Sequence, residues 1–213
     1  MTRYLLPVLS LWLWAAPSAS GAGPRELLEE LRRAYASVET LQARFVQVSR
    51  FGATGVEQEA RGRVFLARGG RMRWVYDGDD PQEIVSDGTS LWIYQVRDRT
   101  VLRQDLASLP PAARVALDLL DGLEGVEQNF DLERCGDRCL ALVPRGDGAE
   151  VSRVEVRLAR DGPRVASVTT VDALGNRTRI RFEEMRTDPE LPEGMFVFRV
   201  PEGVQVLGPE DMR

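Results

Sequence analysis

The sequence contains no histidine and no lysine. Without histidine it lacks both the commonest general base and the commonest metal ligand. Every one of its 28 basic residues is arginine, which we read as a mark of GC-rich coding rather than of function. These face 33 acidic residues for a net charge of −5. That balance argues against non-specific binding to nucleic acid, and it does not favour an anionic membrane surface. There is no Ser/His/Asp set, no Cys/His pair and no glycine-rich phosphate loop. Glu57, Glu59 and Asp87 are the nearest thing to a two-carboxylate glycosidase site, but they read better as solvated faces and turns. The chain is therefore not expected to be an enzyme, and it needs no cofactor or metal.

Cysteine is scarce as well. Cys135 and Cys139 are the only two, and they flank Gly-Asp-Arg. In an oxidising compartment they read as a disulfide closing a hairpin, with two free thiols as the alternative. So small a loop gains only about 2 kcal/mol on the chain-entropy account. A metal site would need further soft ligands that the sequence does not offer.

Long apolar runs are missing except at the start. After Met1-Thr-Arg, residues Tyr4 to Ala16 are apolar apart from Ser10, and Pro17 to Gly23 is small and flexible. This is the pattern of a secretory signal peptide, too short to anchor in a bilayer. Cleavage after Ala22 is favoured, which leaves residues 23–213 as a single exported domain. With no cysteine near that point, the protein is not itself expected to carry a lipid anchor.

What the mature chain does have is alternation. From Gly62 to Tyr94, three short β-like runs lie between turn signals. Side chains two apart on a strand share a face. Val64, Leu66, Met72, Trp74 and Tyr76 thus form one surface, with Arg68 at its end, while Arg63, Arg71 and Arg73 take the other. Arg68 either reaches water at the strand end or turns inward. An inward guanidinium needs partners, and carbonyls at a helix C-terminus would supply them. Phe45, Trp92 and Tyr94 add aromatic residues on neighbouring strands, and all are expected on the same apolar side.

Two helices punctuate the strands. Pro24 to Ser37 is amphipathic, with Leu27, Leu28, Leu31, Ala34, Tyr35 and Val38 recurring at helical spacing. Ala112 to Leu120 is apolar on nearly every side and wants burial on more than one face. About ten strands in all, the last at Met195 to Val200, predict a mainly β (α+β) domain built on one large, curved antiparallel sheet.

The residues Phe45-x-Gln47, Gly62, Arg68, Arg73-Trp74-x-Tyr76, Pro81, Ile84-Val-Ser-Asp-Gly88 and Leu91-Trp-x-Tyr94 resemble the LolA family. So does the run Phe196-x-Phe198-x-x-Pro-x-Gly-Val204. The resemblance is dense from Leu41 to Asp105 and weak from Asp121 to Thr187. It implies an incomplete antiparallel β-barrel with short helices as a lid over a hydrophobic cavity. It implies a periplasmic carrier that binds lipoprotein acyl chains, accepts cargo from an inner-membrane ABC transporter and passes it to an outer-membrane receptor. In the family an arginine followed by proline bonds the lid and controls its opening. Arg68 matches the arginine, whereas Gly69 replaces the proline and leaves the local backbone looser. On this reading Phe45, Val64, Leu66, Met72, Trp74, Tyr76, Trp92 and Tyr94 line the acyl-chain cavity. Leu27, Leu31, Val115, Leu119 and Leu120 lie on the lid. The cysteine pair is not part of the family pattern. A monomer is expected. Two other classes stay open: a lipid-binding envelope-stress regulator, and a lipocalin-like carrier of a free small lipid.

Overall fold

The structure is a computed structural model that describes residues 23–108, 120–146 and 149–208. Within these, the chain forms helix α1 (Pro24–Tyr35), then strands β1 (Thr40–Arg50), β2 (Glu57–Ala67), β3 (Arg71–Asp77), β4 (Gln82–Asp87), β5 (Ser90–Gln95) and β6 (Thr100–Asp105). A four-residue helix α2 (Val126–Asn129) precedes β7 (Phe130–Arg134), β8 (Cys139–Pro144), β9 (Val151–Leu158), β10 (Val165–Asp172), β11 (Arg177–Thr187) and β12 (Gln205–Leu207).

All twelve strands belong to one sheet, in the order β12-β6-β5-β4-β3-β2-β1-β11-β10-β9-β8-β7. Neighbours are antiparallel, except that β12 lies parallel to β6. The long central pair β1–β2 runs in unbroken register from Thr40↔Ala67 to Arg50↔Glu57. The two outermost strands, β12 and β7, do not meet, so the sheet stays open. One continuous cluster joins Val64 and Trp74 of the first half to Leu140, Leu142, Val154 and Val156 of the second, with Leu27, Leu28 and Leu31 of α1 between them. Strands so far apart in the order share a core because the sheet curls around the helix. This is the half-barrel architecture expected of the sequence.

Helix α1 starts where its chemistry allows. Pro24 needs no amide partner, and the Gly23 N–H donates to Glu26 Oε2 at 2.9 Å. Its buried stripe is Leu27, Leu28, Leu31 and Tyr35. The helix ends at Tyr35, two residues before the expected Ser37. The expected second helix, Ala112 to Leu120, lies outside the described residues apart from Leu120, which is buried in the core.

The expectation of a final strand at Met195 to Val200 is corrected. That segment joins no ladder and runs across the outer face of the sheet. Arg73 Nη1 donates to Met195 O at 2.9 Å, the Arg71 guanidinium sits 5.7 Å from the centre of the Phe196 ring, and Phe198 packs on β5. The segment is held by side chains, which is why its aromatic alternation imitated a strand. The strand that does close this end is β12, a few residues later. Cys135 and Cys139 are bonded across the β7–β8 turn, with Cα atoms 5.0 Å apart.

Candidate acyl-chain site and its latch

Register assigns the concave face residue by residue. Ala43, Val64 and Trp74 form one cross-strand row, Leu41, Leu66 and Met72 the next, and Phe45, Gly62 and Tyr76 a third. Phe45, Val64, Leu66, Met72 and Trp74 are all buried. Tyr76 is half-buried against them. The Phe45 ring lies 4.8 Å from Trp74 and 4.9 Å from Tyr76, centre to centre, and Phe182 of β11 approaches Trp74 at 6.2 Å. Gly62 makes this cluster possible. A Cβ there would lie 2.8 Å from two atoms of the Phe45 ring and would collide with the Val75 carbonyl oxygen. Burial pushes the Tyr76 hydroxyl up to about 12, so it stays neutral and donates a hydrogen bond to Gln47 Oε1 at 3.0 Å.

Trp92 and Tyr94 are not part of this surface. In β5 the residues facing the cluster are Leu91 and Ile93. Trp92 and Tyr94 point outward and pack on Phe198, at 6.1 and 5.9 Å. Both faces of β5 are apolar because the outer one is covered by the chain's own C-terminal segment.

The cover over the concave face comes from α1 and from the residues that follow the undescribed stretch. Leu27, Leu31 and Leu120 are buried there, together with Leu28, Tyr35 and Leu123. Val115 and Leu119 lie outside the described residues. Helix α1 is tied to the second half of the sheet by Arg138 Nη2 to Glu30 Oε1 at 2.7 Å, and by the Val165 N–H, which donates to the Tyr35 hydroxyl at 3.0 Å. Arg32 joins it to the α2 region through Gly122 O at 2.9 Å and Glu127 Oε2 at 3.1 Å.

Its tie to the first half is Arg68. Nη2 donates to the carbonyls of Tyr35 and Ala36 at 2.9 and 2.6 Å. These are end-of-helix carbonyls with no partner inside the helix, where the macrodipole favours a cation. The Arg68 Nε lies 3.2 Å from Glu39 Oε1, an ion-pair distance without hydrogen-bond geometry. The next two residues hold the other side of the cover. The Gly69 N–H donates to both carboxylate oxygens of Asp121 at 3.1 Å, and the Gly70 N–H donates to Oδ2 at 3.2 Å. Both glycines have positive φ, +77° and +69°, a turn open to glycine, and its two successive amides meet one carboxylate. Nothing in the sequence marked Asp121. The Gly-Gly pair was the available signal, because a turn of two left-handed residues leaves its amides outside any ladder and in need of an acceptor.

Among the described residues no cluster of three or more His, Cys, Asp or Glu is placed to hold a metal ion. The site is an apolar concave face packed against the leucines of its cover, with a polar catch at the rim.

Comparison with known proteins agrees with this architecture. Residues 36–199 match the family described as "Outer membrane lipoprotein carrier protein LolA". The chain is 36% identical over 180 residues to the outer-membrane lipoprotein carrier protein of Alkalilimnicola ehrlichii, covering 84% of this chain and 82% of that one. It is 33% identical over 213 residues to the carrier of the same description from Methylococcus capsulatus, covering 96% and 97%. Among solved structures, an uncharacterized conserved protein from Thermus thermophilus superposes with a TM-score of 0.53 at 17% identity, over 86% of this chain and 98% of that one, a likeness of fold alone. With the family matched over most of its length and relatives above 30% identity along nearly the whole chain, this protein belongs to the LolA family.

Proposed function

We propose that this protein is a periplasmic carrier that shelters the acyl chains of lipoproteins and delivers them to the outer membrane. The observation that carries the reading is the Arg68 contact, which fastens the helix over the aromatic-lined concave sheet to the first half of that sheet, in a chain of this family. The reading includes export by a leader ending at Ala22, a single domain over 23–213, a monomer, and no enzymatic step. It also includes transfer from an inner-membrane ABC transporter to an outer-membrane receptor.

The physical requirement on such a carrier is reversibility. Each buried methylene contributes about 0.8 kcal/mol, so a long acyl chain in a rigid apolar cavity would never leave. Here Leu27, Leu28, Leu31, Leu120 and Leu123 occupy the concave face in the closed state. They compete with the lipid for the same surface. The net affinity is then the difference between two burials, small enough for release. Arg68 adds a polar term that favours closure and so helps to expel cargo.

The test is to add the purified protein to spheroplasts and ask whether newly made lipoproteins appear in the soluble fraction. The native chain is expected to release them and to pass them to receptor-bearing outer membranes. Arg68→Leu is expected to load but to fail at delivery. Delivery by that variant at the native rate would refute the latch, and no soluble lipoprotein with the native chain would refute the carrier.

A further inference from the structure

The concave face changes character along the strands. At the end near Arg68 it is apolar. Beyond the row of Phe45, Gly62 and Tyr76 it becomes a field of neutral amides and hydroxyls. Gln47 and Ser49 follow Phe45 on β1, Gln58 faces Ser49 from β2, and Gln82 of β4 faces Gln95 of β5. With Tyr76 they line an open groove of about 560 Å³. Tyr76 stands at the border, its ring on Phe45 and its hydroxyl on Gln47. Gln47 also donates to Ser49 Oγ at 3.3 Å, and Ser49 shares a 3.2 Å bond with Thr178 of β11. By contrast, the side chains of Gln58, Gln82 and Gln95 make no hydrogen bond to another described residue, although Gln82 and Gln95 are half-buried. Each carries two donors and an acceptor facing the groove.

Charge narrows the choice of occupant. Among the described residues no arginine lines the groove. The outward-facing positions of the same two strands carry Arg44, Arg61 and Arg63. The charged residues that do border the groove are acidic, Glu59 and Asp80, and Glu59 is paired with Arg61. A phosphodiester headgroup or a free carboxylate would meet no counter-ion here and would be repelled. A polypeptide backbone, neutral and bearing both N–H and C=O, is what unpaired amides recognise.

We infer that this groove holds the peptide stem of the cargo, the stretch of main chain that leaves the acyl group, with Gln82, Gln95 and Gln58 bonding its amides. The inference rests on the carrier reading and extends it. A lipoprotein is an apolar chain that runs into a polypeptide, and this floor is an apolar surface that runs into an amide-lined one. The groove would then select lipoproteins over phospholipids and free fatty acids of equal chain length.

The experiment measures binding of three probes to the full mature chain: a palmitoylated, C-terminally amidated neutral hexapeptide, palmitate, and a palmitoyl lysophosphatidylglycerol. The acyl peptide is expected to bind at least about tenfold more tightly than the other two, the worth of roughly two ordinary hydrogen bonds. The double variant Gln82→Ala/Gln95→Ala is expected to erase that preference and leave palmitate binding unchanged. Should that variant lose its fold by circular dichroism, Gln58→Ala on its own is read the same way with a smaller loss. A preference that survives the substitutions, or a native chain that binds palmitate as tightly as the acyl peptide, overturns the groove and leaves the acyl cavity standing. A native chain that binds none of the three overturns the carrier reading itself.

Discussion

Replacing Asp121 with alanine tests whether the cover is held at two points rather than one. In the closed structure the Asp121 carboxylate accepts the Gly69 and Gly70 amides, with donor–acceptor distances of 3.1 to 3.2 Å. Hydrogen bonds to a charged group contribute about 1.5–3 kcal/mol when sheltered. Gly69 is exposed and the carboxylate only half-buried, so solvent screening reduces this to about 1 kcal/mol. Losing it raises the ratio of open to closed lids about fivefold. On the carrier reading proposed above, the lid side chains occupy the surface the ligand needs, so the open state is the binding-competent one. The apparent Kd then falls by the same factor, about fivefold. The assay is titration with a fluorescent acyl-chain probe. Asp121→Asn keeps one acceptor oxygen and is expected to fall between. Combined with Arg68→Leu, the effect should exceed that of either change alone but fall short of strict additivity, because Arg68 and the Gly69 amide are neighbours in one turn. An Asp121→Ala protein with native affinity would refute the two-point catch, and so would a double variant no different from Arg68→Leu alone.

Tyr76 offers a second test through pH. Its hydroxyl is raised by burial to about 12, against about 10 in an unfolded chain. The folded state therefore favours the neutral form. Its contribution is complete below about pH 10 and is lost as pH climbs toward 12, a change of up to about 2 to 3 kcal/mol by linkage. Tyr76→Phe should remove the latest step in the tyrosinate absorbance titration, and an unchanged late step would contradict the assignment. On the other face, Phe198→Ala should shift the tryptophan emission through Trp92 and cost about 1–3 kcal/mol in urea unfolding, with acyl-probe affinity unaltered. A change in affinity would mean that the outer face communicates with the cavity.

Alternation in the sequence was a reliable guide where one face of a strand is wet. The row Val64, Leu66, Met72, Trp74 and Tyr76, set against Arg63, Arg71 and Arg73, reads directly as inside and outside, and the structure keeps that division. The same logic failed at β5, where Leu91 and Ile93 are as apolar as Trp92 and Tyr94. A strand buried on both faces carries no parity signal. What covers its outer face is a segment about a hundred residues later in the chain, and nothing local announces it. Arg68 was legible as a choice between water at the strand end and helix carbonyls, and the structure places its guanidinium on the carbonyls. Asp121 was not, since one acid in a loop looks like any other until the amides that it meets are known.

Those twelve strands also leave the protein with a hazard that its edges resolve. An unclosed sheet offers a row of free amides to any passing chain, and such rows seed fibrils. One border is taken by β12, the chain's own tail laid alongside β6. The other is β7, only five residues long, with Asp131, Glu133 and Arg134 along it and a disulfide at its end. Asp131 is already matched by Arg145 and Glu133 by Arg153. So short and charged a margin is a poor template, and a sheet with one apolar concave face gains from borders that refuse to zip.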